Sequence, residues 1–272
     1  MLQEIVATAL AAGAVISKVY AKPDFAARTK EDGSPVTEAD GLAEAIILER
    51  LARLAPEIPV IAEESVAAGH APTIGRRFFL VDPLDGTKEF LNRNGDFTVN
   101  IALIEDGAPV LGVVHTPAYG EVFAGDATGA RRARLEGETV GPWSAIAART
   151  PPAEGLDVVA SRSHLSDETR AFIERFKVAE MVAAGSSLKF CRVAAGEADL
   201  YPRLGRTMEW DTAAGDAILR AAGGGVRTLD GRLLAYGKRN QADDSDFANP
   251  WFVASGAFDP FAWASAPADH LS

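Results

Sequence analysis

Near the start of the chain, apolar residues recur at three- and four-residue steps. Leu2, Ile5, Val6, Ala9, Leu10, Gly13 and Ile16 fall on one side of a helix, so the spacing predicts an amphipathic first helix. The polar, turn-rich residues 30–35 read as a loop. Thr37 is placed to cap a helix from Glu38, whose Leu42, Ile46, Ile47 and Leu54 keep helical spacing as far as Pro56. Residues 60–62 and 78–81 are short apolar runs of buried-strand type; the first ends at Glu63-Glu64 and the second at Asp82. Residues 97–104, 111–116 and 122–124 read as successive strands, with a hairpin signal at Asp106-Gly107 and a turn at 118–120.

Beyond this meandering half, residues 125–155 are rich in Gly, Pro and Arg and form a weak candidate boundary between a lobe at 1–150 and one at 151–272, the two expected to act as one unit. Strand and helix then alternate: a strand at 158–160, helices at 167–176 and 187–195, a short strand at Leu200-Tyr201, a helix at 212–222 stopped by Gly223-Gly224-Gly225, and a strand at 251–254. Mixed elements of this kind predict an α+β fold rather than a bundle or a sandwich.

Composition narrows the function classes. The 272 residues carry 27 Lys and Arg against 38 Asp and Glu, a formal charge of -11. That balance lacks the basic footprint of a nucleic-acid binder, so no nucleic-acid partner is expected. One cysteine, Cys191, and four His exclude an internal disulfide and a thiolate-rich zinc ribbon, and point to the cytoplasm. The uncharged run at residues 5–17 follows Glu4 rather than a basic segment and falls short of the ~20 residues of a membrane span, so neither a signal peptide nor an integral membrane segment is expected.

The chemistry is carried by acids at element ends. Asp82-Pro83-Leu84-Asp85-Gly86-Thr87 brings an apolar strand into two carboxylates around what reads as a proline-fixed turn, with a helix from Thr87 whose first N–H groups are unspent. Oxygen donors of this type suit Mg²⁺ or Mn²⁺, and the anion such ions commonly share is a phosphate. Glu63-Glu64 at a second strand end and Asp211 at a helix start make three acid-bearing ends in one chain. Taken singly, Asp85 reads equally well as a solvated turn acid, Asp211 as a helix cap and Asp40 as a solvent-facing helix acid. Trp210, Phe190, Phe252, Trp251 and Cys191 read as core.

Glu63-Glu64-Ser65, Asp82-Pro83-Leu84-Asp85-Gly86-Thr87 and Trp210-Asp211-Thr212-Ala213-Ala214-Gly215 together resemble, in order and spacing, the three signature motifs of the inositol monophosphatase superfamily of metal-dependent, lithium-sensitive phosphatases. Residues 88–90, 94–103, 186–191 and 199–203 resemble its 3'(2'),5'-bisphosphate nucleotidase branch. The resemblance implies a layered α-β-α-β-α sugar-phosphatase fold and hydrolysis of a small-molecule phosphate ester, adenosine 3',5'-bisphosphate, to AMP. The alternative within the superfamily is an inositol or sugar phosphatase; a catalytically idle binding protein on the same scaffold is disfavoured, since every motif acid is present.

Residue by residue, the resemblance implies two or three Mg²⁺ held by Glu63, Asp82, the Leu84 carbonyl, Asp85 and Asp211. Thr87 would orient the attacking water, the Gly86 and Thr87 N–H groups would hold phosphate oxygens, Asp40 would serve a weaker third ion, and Glu64 would bond an ordered water or Thr87. For the nucleotide it implies His164, Ser186, Lys189 and Arg203, the last three able to meet a second phosphate. Bound cations would invert the field of the acid cluster, so the net charge is no obstacle to an anionic substrate.

Overall fold

In the computed structural model, which describes residues 1–23, 27–29, 35–137, 139–160 and 165–265, the N-terminal periodicity becomes α1 (Leu2–Tyr20), buried along Leu2, Ile5, Val6, Ala9, Gly13 and Ile16. At nineteen residues α1 is longer than its uncharged run suggested and passes for a membrane span by length and composition alone. Its apolar stripe is packed inside the protein, against α2 and a sheet. An antiparallel pair, β1 (Ala27–Thr29) and β2 (Pro35–Thr37), precedes α2 (Glu38–Leu54); residues 30–34 of the expected loop lie outside the described residues. Thr37 caps α2 as expected, its Oγ1 accepting from the Ala39 N–H at 3.2 Å while Asp40 accepts from the Thr37 N–H at 2.8 Å.

The chain continues through β3 (Val60–Ala62), α3 (Glu63–Ala67), β4 (Arg77–Asp85) and α4 (Thr87–Leu91) into the meander β5 (Thr98–Glu105), β6 (Ala108–Thr116), β7 (Glu121–Asp126) and β8 (Gly129–Glu136). Two short strands, β9 (Thr139–Val140) and β10 (Ser144–Ile146), pair with β8 and complete an eight-stranded sheet of order β10-β8-β7-β6-β5-β4-β3, in which only β3 and β4 are parallel neighbours. Residues 125–146 are thus largely sheet rather than linker. β8 escapes the hydrophobic pattern because its buried positions are only Ala130 and Ala133 between arginines.

There follow β11 (Leu156–Ala160), α5 (Asp167–Ile173), β12 (Val178–Ala183), α6 (Leu188–Ala194), β13 (Leu200–Arg203), α7 (Glu209–Ala221), β14 (Gly225–Thr228), β15 (Phe252–Ser255) and α8 (Pro260–Ser265). Five of these strands make a second sheet, β12-β11-β13-β15-β14. Three apolar clusters define the layers. α1 and α2 cover one face of the first sheet through Ile5, Ile47, Phe79, Val81 and Ile101. The other face, with Phe78, Leu80 and Ala102, meets α6 and α7, which also pack on Tyr201, Phe252 and Ala254 of the second sheet. The far side of that sheet is closed by α5 through Phe172 and Ile173, with Phe261 of α8 against them. The order is helices, sheet, helices, sheet, helices, the α-β-α-β-α arrangement expected. Trp210, Phe190, Phe252 and Cys191 are core, whereas Trp251 is 43% exposed, one residue ahead of β15.

Candidate active site

β4 carries two of the acids, and its pairing with β5 decides where they point. Asp82 sits opposite Asn100 and Asp85 opposite Thr98, so β4 spends one extra residue in that interval. Pro83 and Leu84 therefore form a bulge within a continuous strand, a place that tolerates a residue without an N–H, rather than the turn expected from the motif. The Leu84 N–H donates to Asp82 Oδ1 at 3.0 Å. Gly86 then takes φ +90°, and a Cβ there would lie 2.1 Å from Ser186 Oγ and 3.0 Å from the Asp96 carbonyl; only glycine fits. α4 starts at Thr87 as expected and lasts five residues.

The remaining acids arrive from other elements. Glu63 is the first residue of α3, held at the end of β3, where buried Glu44 of α2 accepts from the Glu64 N–H at 2.8 Å and the Ser65 hydroxyl at 2.6 Å. Asp211 lies in the first turn of α7, which begins at Glu209, earlier than expected. It is not the cap residue itself; its carboxylate accepts from the Met208 N–H at 2.8 Å. Asp40, 1% exposed, does not face solvent. It accepts from the Thr37 N–H and hydroxyl and from Thr87 Oγ1, the last at 3.2 Å. Thr87 Oγ1 also reaches the Leu84 carbonyl at 3.3 Å, so the hydroxyl is engaged by Asp40 and Leu84.

The acids share one field. Burial raises the Asp82 carboxyl well above the usual range, and Glu63, Asp85 and Asp211 add to it, Glu63 also through a hydrogen bond. Asp211 is raised by burial, then by Asp85 and Glu63. Asp85 is pushed up to about 6 by burial, against the pull of Lys189 and of the Ser187 N–H at 2.7 Å. Asp40 is raised by burial despite its Thr37 bonds. Among the described residues no group of three or more Asp, Glu, His or Cys side chains stands close enough to hold one ion. The donor chemistry is all oxygen, from carboxylates and the Leu84 carbonyl, which fits a hard divalent cation and no softer one.

Beside the acids opens a cleft of about 220 Å³ bounded by Asp85, Gly86, Ser186, Lys189, Tyr201, Arg203 and Asp211. Lys189, 7% exposed, stands 5.3 Å over the Tyr201 ring, and burial lowers its pKa to about 8 even though Asp85 opposes the fall. Arg203 Nε is buried with no hydrogen-bond partner among the described residues. Ser186, at φ +47°, differs from expectation. Its hydroxyl donates to the main-chain carbonyls of Asp85 (2.9 Å) and Asp96 (2.6 Å), so it fixes the loop instead of reaching outward. His164 lies outside the described residues. Sequence reasoning missed Asn100, Ser187 and Glu44. The available signal was a polar residue inside an apolar strand for Asn100, and none for the others.

A model of the inositol monophosphatase family matches residues 1–255. The 3'(2'),5'-bisphosphate nucleotidase CysQ of Salmonella typhimurium is 46% identical over 256 residues, covering 93% of this chain and 98% of that protein. The protein of the same name from Escherichia coli K12 is 42% identical over 259 residues, covering 94% and 99%. Among solved structures, CysQ from Bacteroides thetaiotaomicron superposes with a TM-score of 0.76 at 36% identity, over 94% of this chain and 97% of that one. Inositol monophosphatase from Anabaena gives 0.72 at 25% identity, over 98% and 96%. Fold, motif acids and match over nearly the whole length agree: the chain belongs to the inositol monophosphatase family.

Proposed function

We propose that the protein is a magnesium-dependent 3'(2'),5'-bisphosphate nucleotidase, a phosphoric monoester hydrolase that takes the 3'-phosphate from adenosine 3',5'-bisphosphate and leaves AMP. The observation that carries this is the convergence of acids from β4, α3 and α7 on one field beside a cleft walled by Lys189 and Arg203. The family is metal-dependent. Glu63, Asp82, the Leu84 carbonyl, Asp85 and Asp211 would hold two or three Mg²⁺, which supply Lewis-acid charge compensation to the ester phosphate when bound.

The chain's own groups do the rest. Thr87 Oγ1, seated between Asp40 Oδ1 and the Leu84 carbonyl, orients the attacking water, and Asp40 takes up the proton relayed through that hydroxyl. The N–H groups of Gly86 and Thr87, free of intrahelical partners at the start of α4, hold phosphate oxygens. Lys189 and Arg203 meet the substrate's second phosphate across the cleft. Glu64 stays outside the ligand set, bonding an ordered water or Thr87, while its N–H donates to Glu44 at the start of α3. The nucleotide assignment is supported by relatives named bisphosphate nucleotidases, such as those at 46% and 42% identity. The single cysteine, buried in α6, supports a cytoplasmic setting.

Two measurements test the reading. Phosphate release is compared for adenosine 3',5'-bisphosphate, inositol 1-phosphate and fructose 1,6-bisphosphate, with a preference of about tenfold or more expected for the first; the reverse preference overturns the substrate. Asp82→Asn is expected to abolish magnesium-dependent release with the fold intact, and unchanged turnover overturns the mechanism.

A further inference from the structure

A chain of buried hydrogen bonds joins the first sheet to α6 and α7 behind the acids. The Thr98 hydroxyl donates to Asn100 Oδ1 at 2.9 Å, which fixes the amide and aims Nδ2 at Ser187 Oγ (3.0 Å) and Asp85 Oδ2 (3.4 Å). Ser187 in turn gives its N–H to Asp85 Oδ2 at 2.7 Å and its hydroxyl to the main-chain carbonyl of Asp211 at 2.5 Å. Thr98, Asn100 and Ser187 are all buried. Every donor in the chain is used once or twice, and every bond ends on Asp85, on Asp211 or on a residue that orients one that does.

We propose that Asn100 and Ser187 are positioning residues that set the separation of Asp85, from the first sheet, and Asp211, from α7, so that the two carboxylates can share a divalent cation. The inference rests on the reading of those two acids as ligands. Its physical basis is geometric: one residue, Ser187, holds the Asp85 carboxylate through its N–H and the Asp211 carbonyl through its hydroxyl, so the two elements that carry the acids are tied at one spacing. Two like-charged groups on separate elements are favoured to move apart. A neutral two-residue bridge opposes that motion without adding a cation that would compete with a metal. Ser187 is suited to it because its N–H and hydroxyl serve the two acids separately. Alanine at 187 keeps the first bond and loses the second.

The test uses the full-length protein, with MgCl₂ titrated against two readouts: the thermal midpoint without substrate, and phosphate release at saturating adenosine 3',5'-bisphosphate. Ser187→Ala is expected to raise the half-saturating Mg²⁺ concentration about fivefold or more in both, while KM for the nucleotide at saturating Mg²⁺ stays within about twofold. A merely structural role would lower the metal-free melting temperature and leave the Mg²⁺ midpoints where they were. Midpoints within about twofold of the unsubstituted protein in both readouts overturn the brace. Asn100→Ser carries the same expectation and the same refutation if Ser187→Ala does not fold. Absence of any Mg²⁺ response in the unsubstituted protein, or an unmoved midpoint in Asp211→Asn, overturns the ligand reading and the brace with it; a normal response there with unmoved Ser187→Ala overturns the brace alone.

Discussion

Burying a carboxylate meant for a cation has a cost in the metal-free protein, and Asp85→Asn measures it. Asp85 rises from 3.8 to about 6 in the folded chain. Its folded pKa lies above the unfolded one, so between pH 3.8 and 6 the native state holds more of the proton and stability falls as pH rises. The penalty is absent below about pH 3.8 and complete above about pH 6. At 1.36 kcal/mol per unit it amounts to about 3 kcal/mol at neutral pH, an upper bound because Asp85 keeps partial solvent access. Asn has the same shape and no charge, and its carbonyl oxygen can still accept from Ser187. In EDTA at pH 7 the variant is therefore expected to melt about 5–10 °C above the parent. The gain should shrink on acidification and vanish near pH 4, and Mg²⁺ should stabilise the parent far more than the variant. Differential scanning calorimetry across pH 4–8, with and without Mg²⁺, reads all three. A variant that melts below its parent at pH 7 without metal, or a gain that does not vary with pH, would refute the claim that burial of the Asp85 carboxyl costs the metal-free protein stability.

Two further outcomes follow from geometry. His115 is buried between α1 and β6, its Nδ1 2.9 Å from the Glu121 carbonyl, and burial lowers its pKa to about 4. This folded pKa lies below the unfolded 6.5, so the stability it contributes is present above pH 6.5 and drains away toward pH 4, about 3 kcal/mol in all; His115→Leu should flatten that acid limb in urea titrations, and an unchanged limb would exclude His115 as its source. Gly86→Ala places a methyl against Ser186 Oγ and the Asp96 carbonyl at a left-handed φ. It should cost about 1–3 kcal/mol of stability and at least about tenfold in turnover, and near-normal values of both would show that the loop is slacker than the contacts imply.

Much of the molecule was legible before its coordinates. The continuous apolar runs behind β3 to β7 and β11, the threonine cap of α2, the spacing in α1 and the glycine stop of α7 declare themselves because each is a local property. Elements whose apolar content is small were not legible. β8 reads as an arginine-rich linker, and β12, Val178–Ala183, exposes most of its side chains at a sheet edge; its strand state comes from pairing with β11, which no local pattern encodes. Trp251 was misplaced for the same reason, and local pattern left Asp40 open between solvent and site, since whether a helix acid turns inward or an aromatic outward depends on what packs opposite.

For the site, the division falls along the same line. The sequence by itself determined which groups are available: four acids at element ends, a threonine after Asp-Gly, two cations in the second half, and a fold class that agrees with the layers found. Only the tertiary structure decided that a bulge in β4 shifts Asp85 by one residue against β5 relative to Asp82, that the Ser186 hydroxyl is spent on backbone carbonyls, and that Asn100 and Ser187 tie Asp85 to Asp211. Residue chemistry is written locally, but register, burial and the meeting of β5 with α6 and α7 arise from contacts between segments far apart in the chain, and those are settled only when the whole core closes.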